Sequence, residues 1–231
     1  MKIRIAKFIS NSSVASRRKA EELISAGLVS VNGTVISTPV TMVDENDVII
    51  VNGKKIEQNT KTLLYMFHKP INVMTTTYDP MHRRTIYDIL PPEYKHLKYI
   101  GRLDYKTSGL LLLTNDGAFA RKLTLPSGNI PRTYIAEVGG KIDNLDLACH
   151  GLSVDGVKYR PMKIDVIDKN KLRVTVTEGK KNEIRIVLRA CGAPVKKLHR
   201  ISFGIISLGN LSVGKILKIK QKTIDVILKS L

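Results

Sequence analysis

The chain has 231 residues, enough for one good core or for a small module joined to a larger domain. Its 38 Lys+Arg against 20 Asp+Glu give a formal charge of +18, which favours a polyanionic partner, and no apolar run approaches the ~20 residues a membrane span needs. Cys149 and Cys191 lie far apart with no metal-ligand spacing, which excludes a disulfide framework and fits a reducing cytoplasm, while Lys7, Ser10, Asn11 and Arg17 interrupt any signal-peptide core.

Residues 4 to 10 read as a short helix with Ile5, Phe8 and Ile9 on one side, broken by Asn11-Ser12-Ser13. Ser16 is a good N-cap for a second helix running to Ala26, with Ala20, Leu23 and Ile24 as its stripe and Gly27 at the C-cap position. Arg17 and Arg18 sit at its N-terminal end, where the helix dipole disfavours cations, a placement that points to binding. Asn32-Gly33, between Leu28–Val31 and Thr34–Ile36, and Asn52-Gly53, after Val48–Val51, are strong hairpin signals. Residues 1–52 thus read as a helix-helix-sheet module too small to be an enzyme, and the polar residues 53–62 read as a linker.

The second domain, residues 63–231, opens with a strand, Leu63 to Phe67, ended by Lys69-Pro70. Thr75–Thr77 is extended, Asp79-Pro80 turns, and Thr85–Leu90 is a brief helix stopped by Pro91-Pro92. After Tyr99-Ile100 comes a polar loop from Gly101 to Gly109, then four leucines, Leu110 to Leu113, bounded by Asn115-Asp116-Gly117, which is the pattern of a buried strand. Helices follow at Ala118–Leu123, Asp143–His150 and Asn182–Cys191, the last closed by Gly192. Arg132–Val138 alternates as a half-buried strand, and Met162–Ile167 with Leu172–Thr177 form a hairpin across Asp168-Lys169-Asn170. Beyond Val195 the chain reads as short strands and a final helix. The class is α+β: the small module plus a larger domain with a mixed, mainly antiparallel sheet flanked by helices.

The chemistry concentrates in the loop before the leucines. Arg102 and Asp104 sit two residues apart in a segment with glycine at each end, clamped to a core strand. On pattern alone Asp104 serves catalysis or a mere Asx turn equally well. The five histidines show no paired spacing, no phosphate-binding Gly-rich loop precedes a Lys-Ser/Thr, and no Gly-x-Gly-x-x-Gly follows a strand. A carboxylate, basic residues and aromatics remain, a set suited to covalent catalysis on an RNA nucleotide flipped out of its helix. Arg185 and Arg189 share one face of the 182–191 helix; one could turn inward to pair with Asp104, but both read first as solvent-facing phosphate contacts. From Ile184 to Ile224 there is no acidic residue, and Arg185, Arg189, Lys196, Lys197, Arg200 and four further lysines fall there.

Two resemblances sharpen these readings. Ile5–Ser10, Ser16–Ile24 and Gly27–Gly33 resemble the RNA-binding module named after small-subunit ribosomal protein four, which implies that Arg17, Arg18 and Lys19 face RNA phosphates. Gly101-Arg-Leu-Asp-Tyr-Lys-Thr-Ser-Gly-Leu-Leu-Leu-Leu-Thr-Asn-Asp-Gly117 is similar to the signature of bacterial ribosomal RNA pseudouridine synthases of the RsuA type and their large-subunit relatives. His68-Lys-Pro, Arg132–Val138, Glu178–Arg185 and Leu198–Gly204 extend the match through most of the chain. It implies that Asp104 is the nucleophile, that Tyr134 stacks on the flipped uracil, that Arg185 pairs with Asp104, and that Arg102 fills or stabilises the space the base leaves. Lys106, Arg132, Arg189, Lys196, Lys197 and Arg200 are expected to meet RNA. The family usually shows Gln before the Ile/Val-Arg pair and a second basic residue after it; this chain has Glu183 and Ile186 there, which bears on how the motif grips RNA. The expected protein is a cytoplasmic monomer, without metal or cofactor, that isomerises one uridine of ribosomal RNA. A large-subunit target is favoured; a small-subunit target or a non-catalytic assembly factor is the alternative.

Overall fold

The computed structural model describes residues 2–12, 14–57 and 61–230. Ser13 of the expected break and residues 58–60 of the expected linker lie outside them. In the N-terminal module β1 (Ile3–Arg4) leads into α1 (Ile5–Asn11), and α2 (Arg17–Ser25) follows, with the Ser16 hydroxyl accepting from Lys19 N. Gly27, in the left-handed region at φ +71°, closes α2 as its N–H reaches Ile24 O and Leu28 N–H reaches Leu23 O. Strands β2 (Val29–Val31) and β3 (Thr34–Val35) turn at Asn32-Gly33, where both residues have positive φ, as a type I′ turn requires. β4 (Met42–Val43) pairs with β1. β5 (Ile49–Val51) turns at Asn52-Gly53 into β6 (Lys54–Ile56), giving a four-stranded sheet of order β3-β2-β5-β6. The linker reading is therefore corrected at residues 54–56: Lys54 and Lys55 are exposed edge residues, but Ile56 is buried in the module's core with Ile5, Ile9, Ile24 and Ile49.

The second domain contains β7 (Leu64–Lys69), α3 (Ile86–Ile89), β8 (Lys98–Ile100), β9 (Thr107–Thr114), α4 (Gly117–Thr124), β10 (Arg132–Val138) and α5 (Leu145–His150). Then follow β11 (Leu152–Val154), β12 (Val157–Tyr159), β13 (Lys163–Asp168), β14 (Lys171–Val176) and α6 (Glu183–Ala190). β15 (Val195–Phe203), β16 (Ile206–Ser207), β17 (Ile216–Lys218) and α7 (Gln221–Ser230) complete the chain. The large sheet runs β13-β14-β10-β15-β9-β7-β17, and every pairing is antiparallel except β9 with β15.

Strand β9 is buried on both faces. Leu111 and Leu113 enter the core that includes α5 and α6, while Leu110 and Leu112 enter the opposite core with Phe119 of α4 and Ile224 of α7. Its edge away from β7 is shared by two strands. Thr107, Ser108 and Gly109 pair with Leu198, His199 and Arg200 of β15, whereas Leu112, Leu113 and Thr114 pair with Ile100, Tyr99 and Lys98 of β8. The strand thus starts three residues earlier than the leucine run indicates, because the parallel partner at that end is remote in sequence. One contact between the domains is the Lys98 ammonium donating to Ser10 O at 3.1 Å.

Candidate active site

Because β8 and β15 flank the same edge of β9, the segment joining β8 to β9 must cross the gap between them. This segment carries Asp104. Its main chain is held at five successive carbonyls. Leu103 O accepts from Thr75 Oγ1 at 2.8 Å, Tyr105 O from Asn72 N at 2.8 Å and Lys106 O from Arg185 Nη2 at 2.9 Å. Asp104 O accepts from Thr107 N at 2.9 Å and from Lys69 Nζ at 3.3 Å, and Thr107 O accepts from Lys69 Nζ at 2.9 Å. The Asp104 carboxylate itself has no hydrogen bond or ion pair among the described residues. It is half-buried in the wall of a cavity of about 510 Å³.

Lys69 is the residue that pattern reading missed. It is fully buried at the end of β7, and its ammonium donates to Pro70 O, Asp104 O and Thr107 O. Burial pushes it down to about 8, against the opposing pull of Asp104, with Arg200 adding to the depression. Its sequence signals were a lysine ending an apolar strand before a proline and its place in His68-Lys-Pro, neither of which gave it a role.

Arg185, on α6, donates to Val195 O at 3.1 Å and to Lys106 O. It makes no ion pair with Asp104 within 4.0 Å; the expected pairing becomes an attraction at longer range, and the fork instead ties α6 and β15 to the loop. Burial lowers the Arg185 guanidinium and Asp104 counteracts it. Tyr134, 9% exposed in β10, lines the cavity with Asp104 and the exposed Arg102.

Two expected RNA contacts lie inside the cavity and not on the outer surface. Arg200 is 2% exposed; its Nε donates to Leu110 O at 2.7 Å, capping a carbonyl in the gap that neither β8 nor β15 covers, and its guanidinium lies 6.0 Å from the Tyr134 ring centre. Arg132 is likewise buried, donating to Glu178 O at 2.9 Å and stacked 5.0 Å from the centre of Phe203. Both arginines point inward because the cavity-facing sides of β10 and β15 carry them, so they line the cavity and do not form an outer phosphate surface. The remaining candidates Arg17, Arg18, Lys19, Lys106, Arg189, Lys196 and Lys197 are exposed. Of these Lys19 pairs with Glu22 at 2.8 Å and Lys197 with Glu137 at 2.9 Å.

Glu183, at the start of α6, also lines the cavity and is 5% exposed. Burial, then the charge of Glu178, pushes its carboxyl up to about 7. Five cationic side chains (Arg102, Arg132, Lys180, Lys181 and Arg200) face three acids (Asp104, Glu178 and Glu183) around the cavity, which suits an anionic ligand.

The family description RNA pseudouridylate synthase matches residues 63–190, and that of the S4 domain matches residues 3–49. The chain is 40% identical over 227 residues to an uncharacterized RNA pseudouridine synthase of Rickettsia conorii, covering 96% of this chain and 98% of the relative. It is 38% identical over 219 residues to the ribosomal large subunit pseudouridine synthase B of Bacillus subtilis, covering 91% and 89%. A solved pseudouridylate synthase superposes with a TM-score of 0.70 at 24% identity over 96% of this chain and 98% of its own, a likeness of fold.

Proposed function

Since the chain belongs to the RNA pseudouridylate synthase family and carries an S4 domain, we propose that it isomerises a specific uridine of large-subunit ribosomal RNA, with Asp104 as the nucleophile. One observation carries the assignment of the residue. Five successive carbonyls are gripped from four separate elements or segments, and the one carboxylate in their midst is left unpartnered in a cationic cavity. A site spends this much fixing of main chain where a side chain must be held ready.

The reaction breaks the bond between C1′ and N1 of uridine and joins C1′ to C5; the C5–H bond breaks with loss of a proton, and N1 gains a proton. Atoms and electrons are conserved, so neither redox partner nor cofactor is required. The Asp104 carboxylate attacks C1′ or C6, or removes a ribose proton. The Arg185 charge supports the carboxylate from a distance while the fork holds the loop. Tyr134 offers its ring to the extruded base. Arg102 stands at the rim, positioned to occupy the vacated stack. The S4 module supplies a second grip on the RNA through Arg17, Arg18 and Lys19. Among the described residues no helix is long and apolar enough to cross a membrane, and we place the protein, as a monomer, in the cytoplasm with its ribosomal substrate.

Asp104→Asn is expected to fold and bind RNA while producing no pseudouridine, scored by carbodiimide-based primer extension on ribosomal RNA transcripts. Turnover by that variant would remove the nucleophile from the scheme. The same mapping in a strain lacking the gene identifies the subunit: a lost stop in the small-subunit RNA would overturn the large-subunit assignment.

A further inference from the structure

Three buried side-chain polar atoms among the described residues have no hydrogen-bond partner: Thr107 Oγ1, Glu183 Oε1 and Arg200 Nη2. All three residues stand in the wall of the cavity that holds Asp104. An orphaned buried polar atom costs about 1–3 kcal/mol. Three such atoms around one opening mark a site completed by a ligand with matching polar groups.

The chemistry of two of them is one-sided. Arg200 Nη2 can only donate. The Glu183 and Glu178 carboxyls lie close enough for each to act on the other's ionisation, and two carboxyls so placed are best accommodated when one holds a proton. Glu178 is committed as an acceptor: its Oε1 accepts from Arg160 N at 2.7 Å, and its Oε2 faces Lys180 Nζ at 2.9 Å. The proton therefore resides on Glu183, whose Oε1 has no hydrogen-bond partner. Arg132 is near enough to both residues that each charge acts on its guanidinium, and the Arg200 guanidinium lies 6.0 Å from the centre of the Tyr134 ring. A donor thus stands beside an aromatic face, and an acceptor belongs to the wall of the same cavity.

We propose that Glu183 and Arg200 read the imide edge of the target base. Glu183 Oε1 accepts from the ring N3–H, and Arg200 Nη2 donates to the adjacent ring carbonyl. Uracil satisfies both. Cytosine turns an acceptor nitrogen toward Glu183 and an amino group toward Arg200, leaving two buried groups unpaired. Thr107 Oγ1, able to donate or accept, is free for the remaining polar atom. This inference rests on the pseudouridine synthase reading and names the side chains that determine which base enters.

A pH signature follows. Glu183 faces Glu178 and Lys180 from the segment after β14 and Arg132 from β10, with Arg160 reaching it through Glu178 and Asp104 across the cavity. As pH rises through the Glu183 value of about 7, a second carboxylate confronts Glu178 and the acceptor geometry is lost.

The test uses the full-length protein and unmodified ribosomal RNA transcripts, with wild type, Glu183→Ala and Glu183→Gln compared between about pH 6 and 7.5, a window bracketing that value. Alanine should lower kcat/KM by about three- to tenfold at the acid end, the worth of one neutral hydrogen bond. Glutamine, which can donate to Glu178 and still present an oxygen, should restore most of that loss and flatten the decline that wild type shows toward pH 7.5. A second measurement needs no variant: uridine 5′-monophosphate should inhibit wild type better than its N3-methyl analogue, by a similar factor. An alanine variant as active as wild type, a glutamine variant as damaged as alanine, or equal inhibition by the two nucleotides overturns the proposal. Wild-type enzyme that makes no pseudouridine at all would instead overturn the functional reading beneath it.

Discussion

Lys69 shows how much a single side chain can organise. Its three ammonium hydrogens match three carbonyls, at Pro70, Asp104 and Thr107. Lys69→Met would leave those acceptors facing hydrocarbon and is expected to destabilise the domain by roughly 3 kcal/mol, measured by chemical denaturation. The pH consequence has an unusual sign. Burial depresses Lys69 to about 8, so between there and its unfolded value the folded state holds fewer protons than the unfolded one. Linkage then makes this group's contribution to stability rise with pH over that window and fall as pH drops through about 8. The neutral amine, however, has only two hydrogens for three carbonyls. Turnover should therefore fall as pH climbs past about 8 while the melting temperature does not follow it down. This limb is separate from the Glu183 limb and should survive in Glu183→Gln. None of this was legible in the sequence, because Lys69 and the carbonyls it grips at 104 and 107 meet only through the pairing of β7 with β9.

At the scale of elements, most assignments followed from punctuation. Asn32-Gly33 and Asn52-Gly53 marked real turns, Ser16 capped α2, and Arg132–Val138 emerged with the expected bounds. The failures have physical causes. The hairpin of β11 and β12 was overlooked although Asp155-Gly156, both at positive φ, carries the same turn chemistry. Strand β15 is nine residues long, but its inward Arg200 breaks the apolar pattern because it caps a carbonyl in a split sheet edge. That split also explains Gly109. Its φ is +108°, and a Cβ there would lie 2.2 Å from Arg200 O, where β9 and β15 run side by side. Gly109→Ala should cost roughly 3 kcal/mol or more, through strain and separation of the seam, and should depress both stability and turnover. A variant with an unshifted denaturation midpoint would contradict this close approach.

At the scale of the whole molecule, the described residues form separate apolar cores. The module's core, from Ile5 to Ile56, shares no residue with the two cores flanking the large sheet. A chain beginning at residue 61 is therefore expected to fold cooperatively, with little loss of melting temperature, and to bind ribosomal RNA more weakly. If Arg17 and Arg18 each meet a phosphate, the slope of log affinity against log salt should shrink by about two on truncation. An unchanged slope would mean that the module contributes no phosphate contacts. The proposal of Asp104 as nucleophile starts from its signature, whereas the groups that hold its loop had no sequence signal of that role. Arg185 was expected to clasp the carboxylate and instead clasps the backbone, a distinction that depends on where β15 lies, and no spacing in the chain reports it.

The grip on five main-chain oxygens reaches beyond this chain's own substrate. Since peptide oxygens are the same whatever residue bears them, the bend keeps its shape independently of the side chains at Tyr105 and Lys106. Those two positions are free to be rewritten, so one rigid cradle could be readdressed to other RNA neighbourhoods without being rebuilt.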